Sequence, residues 1–343
     1  MKTPVKSHTR RRFFTTALSA TTLMALGSAS HANTLSTNNT AYRVLDMDWH
    51  DSERNRTVPV RLYLPLAANK DQQAPLVVFS HGMGGSRYGY SYLGRHWASE
   101  GFASLHLQHI GSDLKIWTGG SPFTVVDRLH TAAQDAEAIA RVHDLRFALD
   151  QLLESRLGQM IDSRRIVAAG HSYGANTTLL AVGAQIKRQG QKLGLIDARL
   201  QAAILISAPP FYGESSNDSI LAPISVPSLH ITATEDVIRI PGYYSAVKDR
   251  IAIYDLVGST QKMLAVFNGG SHSIFTDRAG TGGMLLNAQV KHATCELTAA
   301  FMHHCLGNGE HGLKTWPTRH ASILSRFTDS YLSEKPVILR STS

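Results

Sequence analysis

An apolar run, Arg165-Ile166-Val167-Ala168-Ala169, passes directly into Gly170-His171-Ser172-Tyr173-Gly174 and then into a helical stretch beginning near Ala175. This succession of strand, glycine-flanked serine and helix constrains the fold more than any other feature of the chain. A turn this sharp leaves no room for side chains two residues either side of the serine, and glycine stands at both places. It lifts the serine hydroxyl above the strand end and sets its backbone at a helix N-terminus, where negative charge is favoured. A Gly-x-Ser-x-Gly string alone arises by chance, and an ordinary strand-to-helix turn is the alternative. The flanking elements give it weight.

Other apolar runs alternate with helical patterns around this turn. Residues 42–64 read as two strands flanking the polar turn Asp51-Ser52-Glu53-Arg54-Asn55-Arg56, an antiparallel hairpin. Ala74-Pro75-Leu76-Val77-Val78-Phe79-Ser80 is a continuous buried-strand run. Further strands are expected at 103–107, 202–206, 228–232 and 262–267, with helices at 92–100, 142–155, 175–190, 243–256 and 287–306. Residues 108–140 read as irregular. Alternating strands and helices predict an α/β domain over 41–306, with a mostly parallel sheet, helices on both faces and an antiparallel N-terminal edge. No inserted segment is long enough for a large lid domain. A polar tail interrupted by Pro317 follows over 307–343.

The first 32 residues read as a targeting segment rather than as part of the fold. Thr9-Arg10-Arg11-Arg12-Phe13-Phe14 resembles a twin-arginine export motif, a mildly apolar stretch follows over 13–29, and Ser30-His31-Ala32 offers small residues for cleavage. A basic arm or an uncleaved anchor is the alternative. The chain carries 34 Lys and Arg against 26 Asp and Glu; without the five leader bases, 29 face 26, a net of +3. The apparent basicity is therefore largely leader and gives no case for nucleic-acid binding. No uninterrupted apolar run is long enough to span a membrane within the folded part. Export implies a periplasmic or secreted location and an encounter with twin-arginine export machinery. Cys295 and Cys305 lie ten residues apart in one helical stretch, about 15 Å if continuous, too far for a disulfide.

A serine hydroxyl needs a neighbouring base to become a nucleophile. The chain has 17 histidines, so position must decide. His272 follows the strand ending at Phe267, in the loop Asn268-Gly269-Gly270-Ser271-His272-Ser273, whereas His171 beside the serine is expected to pack beneath the turn. Asp236, after the 228–232 strand, is expected to hold the imidazole, with Glu235 the close rival. Oxyanion-stabilising N–H groups are expected from Tyr173 and from Met83 in Ser80-His81-Gly82-Met83-Gly84-Gly85. The latter loop lacks the Lys-Ser/Thr of a phosphate-binding loop. Aromatics at Tyr88, Trp117 and Phe211 are candidates for a substrate wall, or simply pack loops together. His106, His109 and Asp113 do not make a metal set, because Gly111 interrupts them and no further ligand is placed.

Phe79-Ser80-His81-Gly82-Met83-Gly84-Gly85-Ser86 together with Gly170-His171-Ser172-Tyr173-Gly174-Ala175 resembles the α/β-hydrolase superfamily, in its bacterial dienelactone-hydrolase-like and platelet-activating-factor-acetylhydrolase-like branch. The resemblance implies an α/β-hydrolase fold and a serine carboxylesterase working without metal or organic cofactor on small or polymeric esters. In the acetylhydrolases the acid follows the strand after the elbow helix, where this chain has Ser207. The acid is therefore expected one strand later, at Asp236. Dienelactone hydrolases proper use cysteine where Ser172 stands, so the substrate does not transfer. Short-chain or aromatic esters are expected. An amidase or peptidase with the same three residues, or a binding protein on the same fold, are the rival readings.

Overall fold

The computed structural model describes residues 41–119, 121–188, 191–214, 217–240, 242–307, 309 and 312–330, so the leader expected over 1–32 lies outside the described residues. Nine strands form one sheet: β1 (Tyr42–Asp51), β2 (Arg56–Pro65), β3 (Ala74–Ser80), β4 (Ala103–Leu107), β5 (Ile161–His171), β6 (Leu200–Ile206), β7 (Ser228–Glu235), β8 (Lys262–Ser271) and β9 (Leu324–Asp329). Their spatial order is β1-β2-β4-β3-β5-β6-β7-β8-β9. Strands β4 through β8 run parallel, while β1, β2 and β9 pair antiparallel at the two edges. The β1–β2 hairpin turns at Asp51, whose carboxylate accepts the backbone N–H groups of Glu53 and Arg54, both at 3.1 Å.

The central strands are apolar on both sides, as a sheet covered on two faces requires. Leu76, Val78, Ile166, Ala168, Ala203 and Leu205 face one core, packed by α3 (Asp135–Glu154) and α4 (Tyr173–Ala181), with Ile253 of α5 (Val247–Leu256). Their alternating neighbours, among them Val77, Phe79, Val167 and Ile204, face the other core, under α1 (Ser91–Ser99) and α6 (Met284–Cys305). Cys295 and Cys305 both lie on α6 and are not bridged.

Several regions differ from the sequence reading. Residues 108–140 are not simply irregular: they hold α2 (Pro122–Ala132) and the first turn of α3. Among the described residues of α2 the buried apolar ones are Leu129 and Ala132, so its periodicity leaves a faint mark in the sequence. The domain also does not end at 306. Trp316 is fully buried with its indole N–H donating to the Ala293 carbonyl at 3.0 Å, and β9 closes the sheet edge beyond it. The polar stretch and Pro317 belong to the connection between α6 and β9. The predicted helix over 175–190 is shorter, because α4 ends at Ala181 and the chain turns at Gly183, whose φ is +128°.

Candidate active site

The elbow forms where β5 meets α4. Ser172 sits at φ 54°, ψ −123°, a conformation unfavourable for any residue with a side chain, and its N–H is anchored to the Ile206 carbonyl at 2.9 Å. A Cβ at Gly170 would run into the Gly174 carbonyl, and one at Gly174 into the Ser80 carbonyl of the neighbouring strand. The glycines are thus required by backbone approaching backbone, both across the turn and between the first turn of α4 and the end of β3.

Three side chains converge above the parallel strand ends. The Ser172 hydroxyl lies 2.8 Å from His272 Nε2, and His272 Nδ1 lies 2.7 Å from Asp236 Oδ1. His272 is delivered by the short helical turn after β8, and Asp236 by the end of β7. Glu235 is the last residue of β7 and points to solvent, whereas Asp236 is fully buried. The one-residue step turns the side chain from outside to inside, which separates the two rivals. Asp236 Oδ2 accepts from the Thr232 hydroxyl at 2.7 Å, and the buried Arg250 of α5 approaches Oδ1 at 3.4 Å. Ser207, at the end of β6 with φ 52°, places its hydroxyl beside the same carboxylate. Burial alone pushes the Asp236 carboxyl up, but the hydrogen bond and charge of His272 and the Arg250 guanidinium outweigh it and hold Asp236 well below its ordinary range. It is therefore an anion that fixes the His272 tautomer, with Nδ1–H donating to Asp236 and Nε2 accepting from Ser172.

His171 packs under the elbow. Its Nε2–H donates to the His272 carbonyl at 3.0 Å and its Nδ1 accepts from the Tyr90 hydroxyl at 2.7 Å. Burial pushes His171 down to about 3, so it stays neutral and holds the His272 loop by geometry.

The loop after β3 is held from below by a buried polar network that sequence reasoning missed. Ser80, His109 and Asp144 are all buried; His109 Nδ1–H donates to Asp144 at 3.1 Å and its Nε2 accepts from the Ser80 hydroxyl at 3.0 Å. The fully buried Arg141 of α3 donates to Thr177 Oγ1 of α4 at 2.9 Å, to Ser112 Oγ at 2.8 Å and to the His81 carbonyl. Its guanidinium lies 4.6 Å over the Tyr173 ring. Arg141 therefore ties together the two backbone segments that carry the N–H groups of Met83 and Tyr173. Neither N–H is engaged by another group among the described residues, and both residues line the cavity beside Ser172. An arginine inside a helix gives no local signal for this role; only the packing of α3 against both loops shows it.

That cavity, about 480 Å³, runs from Ser172 along α4. Its walls come from α4, the α2–α3 junction, the segment Pro209-Pro210-Phe211-Tyr212 and the hairpin Ile238–Ile240/Tyr243–Ser245. Of the three aromatics expected to form it, only Phe211 does. Tyr88 stands outside, 45 % exposed and covered by the Arg61 and Arg87 guanidinium groups at 4.4 and 5.1 Å. Trp117 is half exposed and donates its indole N–H to the Gly84 carbonyl at 2.9 Å, bracing the loop rather than lining the cavity. Spacing along the chain could not show that β2 draws Tyr88 away through Arg61. His106 and His109 are likewise committed to buried hydrogen bonds, with Ser104 and with Ser80 and Asp144.

A sheet in this order, with a serine at the elbow after its fifth strand and an acid and a histidine after later strands, is the α/β-hydrolase fold, and Ser172, His272 and Asp236 stand in one hydrogen-bonded row above it. Comparisons agree on the fold. Residues 32–114 match the family model for platelet-activating factor acetylhydrolase, isoform II. A ferulic acid esterase from Streptomyces cinnamoneus superposes with a TM-score of 0.56 at 21% identity, covering 78% of this chain and 91% of that one. A dienelactone hydrolase from Anabaena variabilis superposes with a TM-score of 0.51 at 17% identity, covering 77% and 98%. No curated protein matches in sequence.

Proposed function

We propose that the protein is a carboxylic-ester hydrolase working through Ser172, His272 and Asp236 and an acyl-enzyme intermediate. The observation that carries this reading is the continuous Asp236–His272–Ser172 hydrogen-bond chain, 2.7 and 2.8 Å, opening on a largely apolar cavity. Ser172 Oγ attacks the ester carbonyl while His272 Nε2 takes its proton. The tetrahedral oxyanion is met by the Met83 and Tyr173 N–H groups, each worth about 2.7–4 kcal/mol in such sites. His272 then gives the proton to the leaving alcohol, and a water activated by the same imidazole releases the acid and restores Ser172. No step calls for a metal or cofactor. The cavity volume suits short-chain or aromatic acyl groups. The named ferulic acid esterase neighbour shows that ester cleavage is found on this fold. The Arg10-Arg11-Arg12-Phe13-Phe14 leader supports export to the periplasm or medium by the twin-arginine machinery.

The test is covalent labelling of Ser172 by a p-nitrophenyl phosphonate, with p-nitrophenyl acetate turnover. Ser172→Ala is expected to escape labelling and to lose about 10⁴-fold or more in kcat; unchanged turnover refutes the assignment. Matched ester and anilide substrates separate esterase from amidase.

A further inference from the structure

Among the described residues, Asn55, Tyr90, Ser172 and Ser207 are the non-glycine residues with a positive φ. Asn55 lies in the β1–β2 turn, where asparagine tolerates the left-handed region. Ser172 is the elbow residue, and Ser207 stands beside Asp236. Tyr90 has no such local reason. It is a buried aromatic at the N-terminus of α1, held at φ 57°, ψ 32°, and its side chain does not cap the helix. A bulky residue in that region is strained, and the strain persists only where the surroundings fix it. They do so through both the ring and the hydroxyl. The ring packs on Phe79 of β3, with centroids 4.7 Å apart, and stands 5.4 Å from the His171 ring.

The hydroxyl links two loops. It accepts the Gly82 N–H at 3.4 Å and donates to His171 Nδ1 at 2.7 Å, while His171 Nε2–H donates to the His272 carbonyl at 3.0 Å. The direction of this chain is fixed at both ends, because a backbone N–H only donates and a carbonyl only accepts. Burial keeps the His171 imidazole neutral and pushes the Tyr90 phenol above its ordinary range, so at neutral pH the phenol keeps its proton. His171 is therefore the Nε2–H tautomer, and the Tyr90 O–H is the donor that its bare Nδ1 requires. The chain starts at the residue before Met83 and ends on the backbone of His272. Beyond Met83, the Gly84 and Gly85 N–H groups donate to the Ser112 and Gly82 carbonyls at 2.8 and 3.0 Å. The loop is thus pinned on both sides of the Met83 N–H. Tyr90 does not line the cavity, so anything it does there it does through these neighbours.

We propose that Tyr90 is a positioning residue whose hydroxyl, acting through His171, sets the loop that presents the Met83 N–H against the loop that presents His272. This rests on the ester-hydrolase reading and adds to it a residue that touches neither the substrate nor the reacting atoms. Losing such a group misplaces an oxyanion donor and a base relative to Ser172. That lowers the rate of the chemical step and leaves ground-state binding in the cavity largely as it was.

The experiment uses Tyr90→Phe, which keeps the ring on Phe79 and removes only the hydroxyl, with p-nitrophenyl acetate at pH 7. The variant is expected to keep a wild-type circular dichroism spectrum and KM and to lose about 10–100-fold in kcat. Because Tyr90 acts through His171, Tyr90→Phe/His171→Gln is expected to lose no more kcat than His171→Gln alone. An unchanged kcat in folded Tyr90→Phe, a loss confined to KM, or additive losses in the double variant each overturn the proposal. A lower Tm with wild-type kcat does so too, and leaves the hydroxyl a purely structural role. One arm needs no variant of Tyr90. In ¹⁵N-histidine-labelled wild-type protein, the imidazole signal that His171→Gln removes is expected to be a neutral Nε2–H tautomer that does not titrate between pH 5 and 8. An Nδ1–H tautomer or a titrating ring there overturns the proposal even if Tyr90→Phe fails to fold. Absence of ester turnover by the wild-type protein instead rejects the ester-hydrolase reading, and this role with it.

Discussion

Asp236 is buried without exposure and is held ionised by His272 and Arg250 against the cost of its own burial. Its folded pKa lies below the unfolded value, so the stability it contributes is present above about pH 4 and is lost as pH falls further. Asp236→Asn removes that charge and leaves Arg250, whose Nε and Nη1 lack partners among the described residues, without its carboxylate. Two outcomes are expected. The variant loses about 10³–10⁴-fold in kcat, because the His272 tautomer is no longer fixed. It is also less stable at pH 7, by about 3–5 kcal/mol as for other broken buried pairs. That gap in Tm narrows as pH drops below 4, which thermal unfolding of both proteins from pH 3 to 7 checks. At this scale sequence position was informative for Ser172 and His272. It was not decisive between Glu235 and Asp236, because which of two adjacent side chains turns inward depends on where β7 ends.

The elements around the loop after β3 depend on one another through α3. Arg141 hydrogen-bonds the His81 carbonyl and Thr177 and stacks on Tyr173, so it fixes the spacing between the Met83 and Tyr173 N–H groups without touching the cavity's reacting centre. As a positioning residue it is expected to act on kcat: Arg141→Met lowers kcat by about 10–100-fold, as misplacement of a donor does, with KM little changed. A KM-against-kcat comparison on p-nitrophenyl acetate, with circular dichroism to confirm folding, checks it; a loss confined to KM contradicts the assignment. The loop's glycines and its place after β3 could be read in the chain. The buried Ser80–His109–Asp144 chain beneath it could not, since its members come from β3, the β4–α2 connection and α3.

Over the whole molecule, the C-terminal segment is structural. Trp316 fills the core beneath α6, and β9 supplies the outer hydrogen-bond partners of β8, the strand that leads to His272. Truncation after Gly307 is expected to expose the β8 edge and that core, giving a protein that aggregates or unfolds without a cooperative transition. The milder Trp316→Ala should lower stability by about 3–5 kcal/mol in denaturant titration. Wild-type midpoints in both experiments would show the segment to be dispensable.

By itself the sequence determined the α/β-hydrolase fold, the elbow at Ser172 and the chain order of serine, acid and histidine. These depend on local patterns: apolar runs, glycines where backbones collide, and short loops after strands. The tertiary structure alone decided which aromatics form the cavity, that α2 and α3 wall it, that Arg141 braces the loop, and that residues beyond Gly307 complete the sheet. Each of those depends on groups far apart in the chain meeting in space, and a contact between distant segments leaves no periodicity in either one.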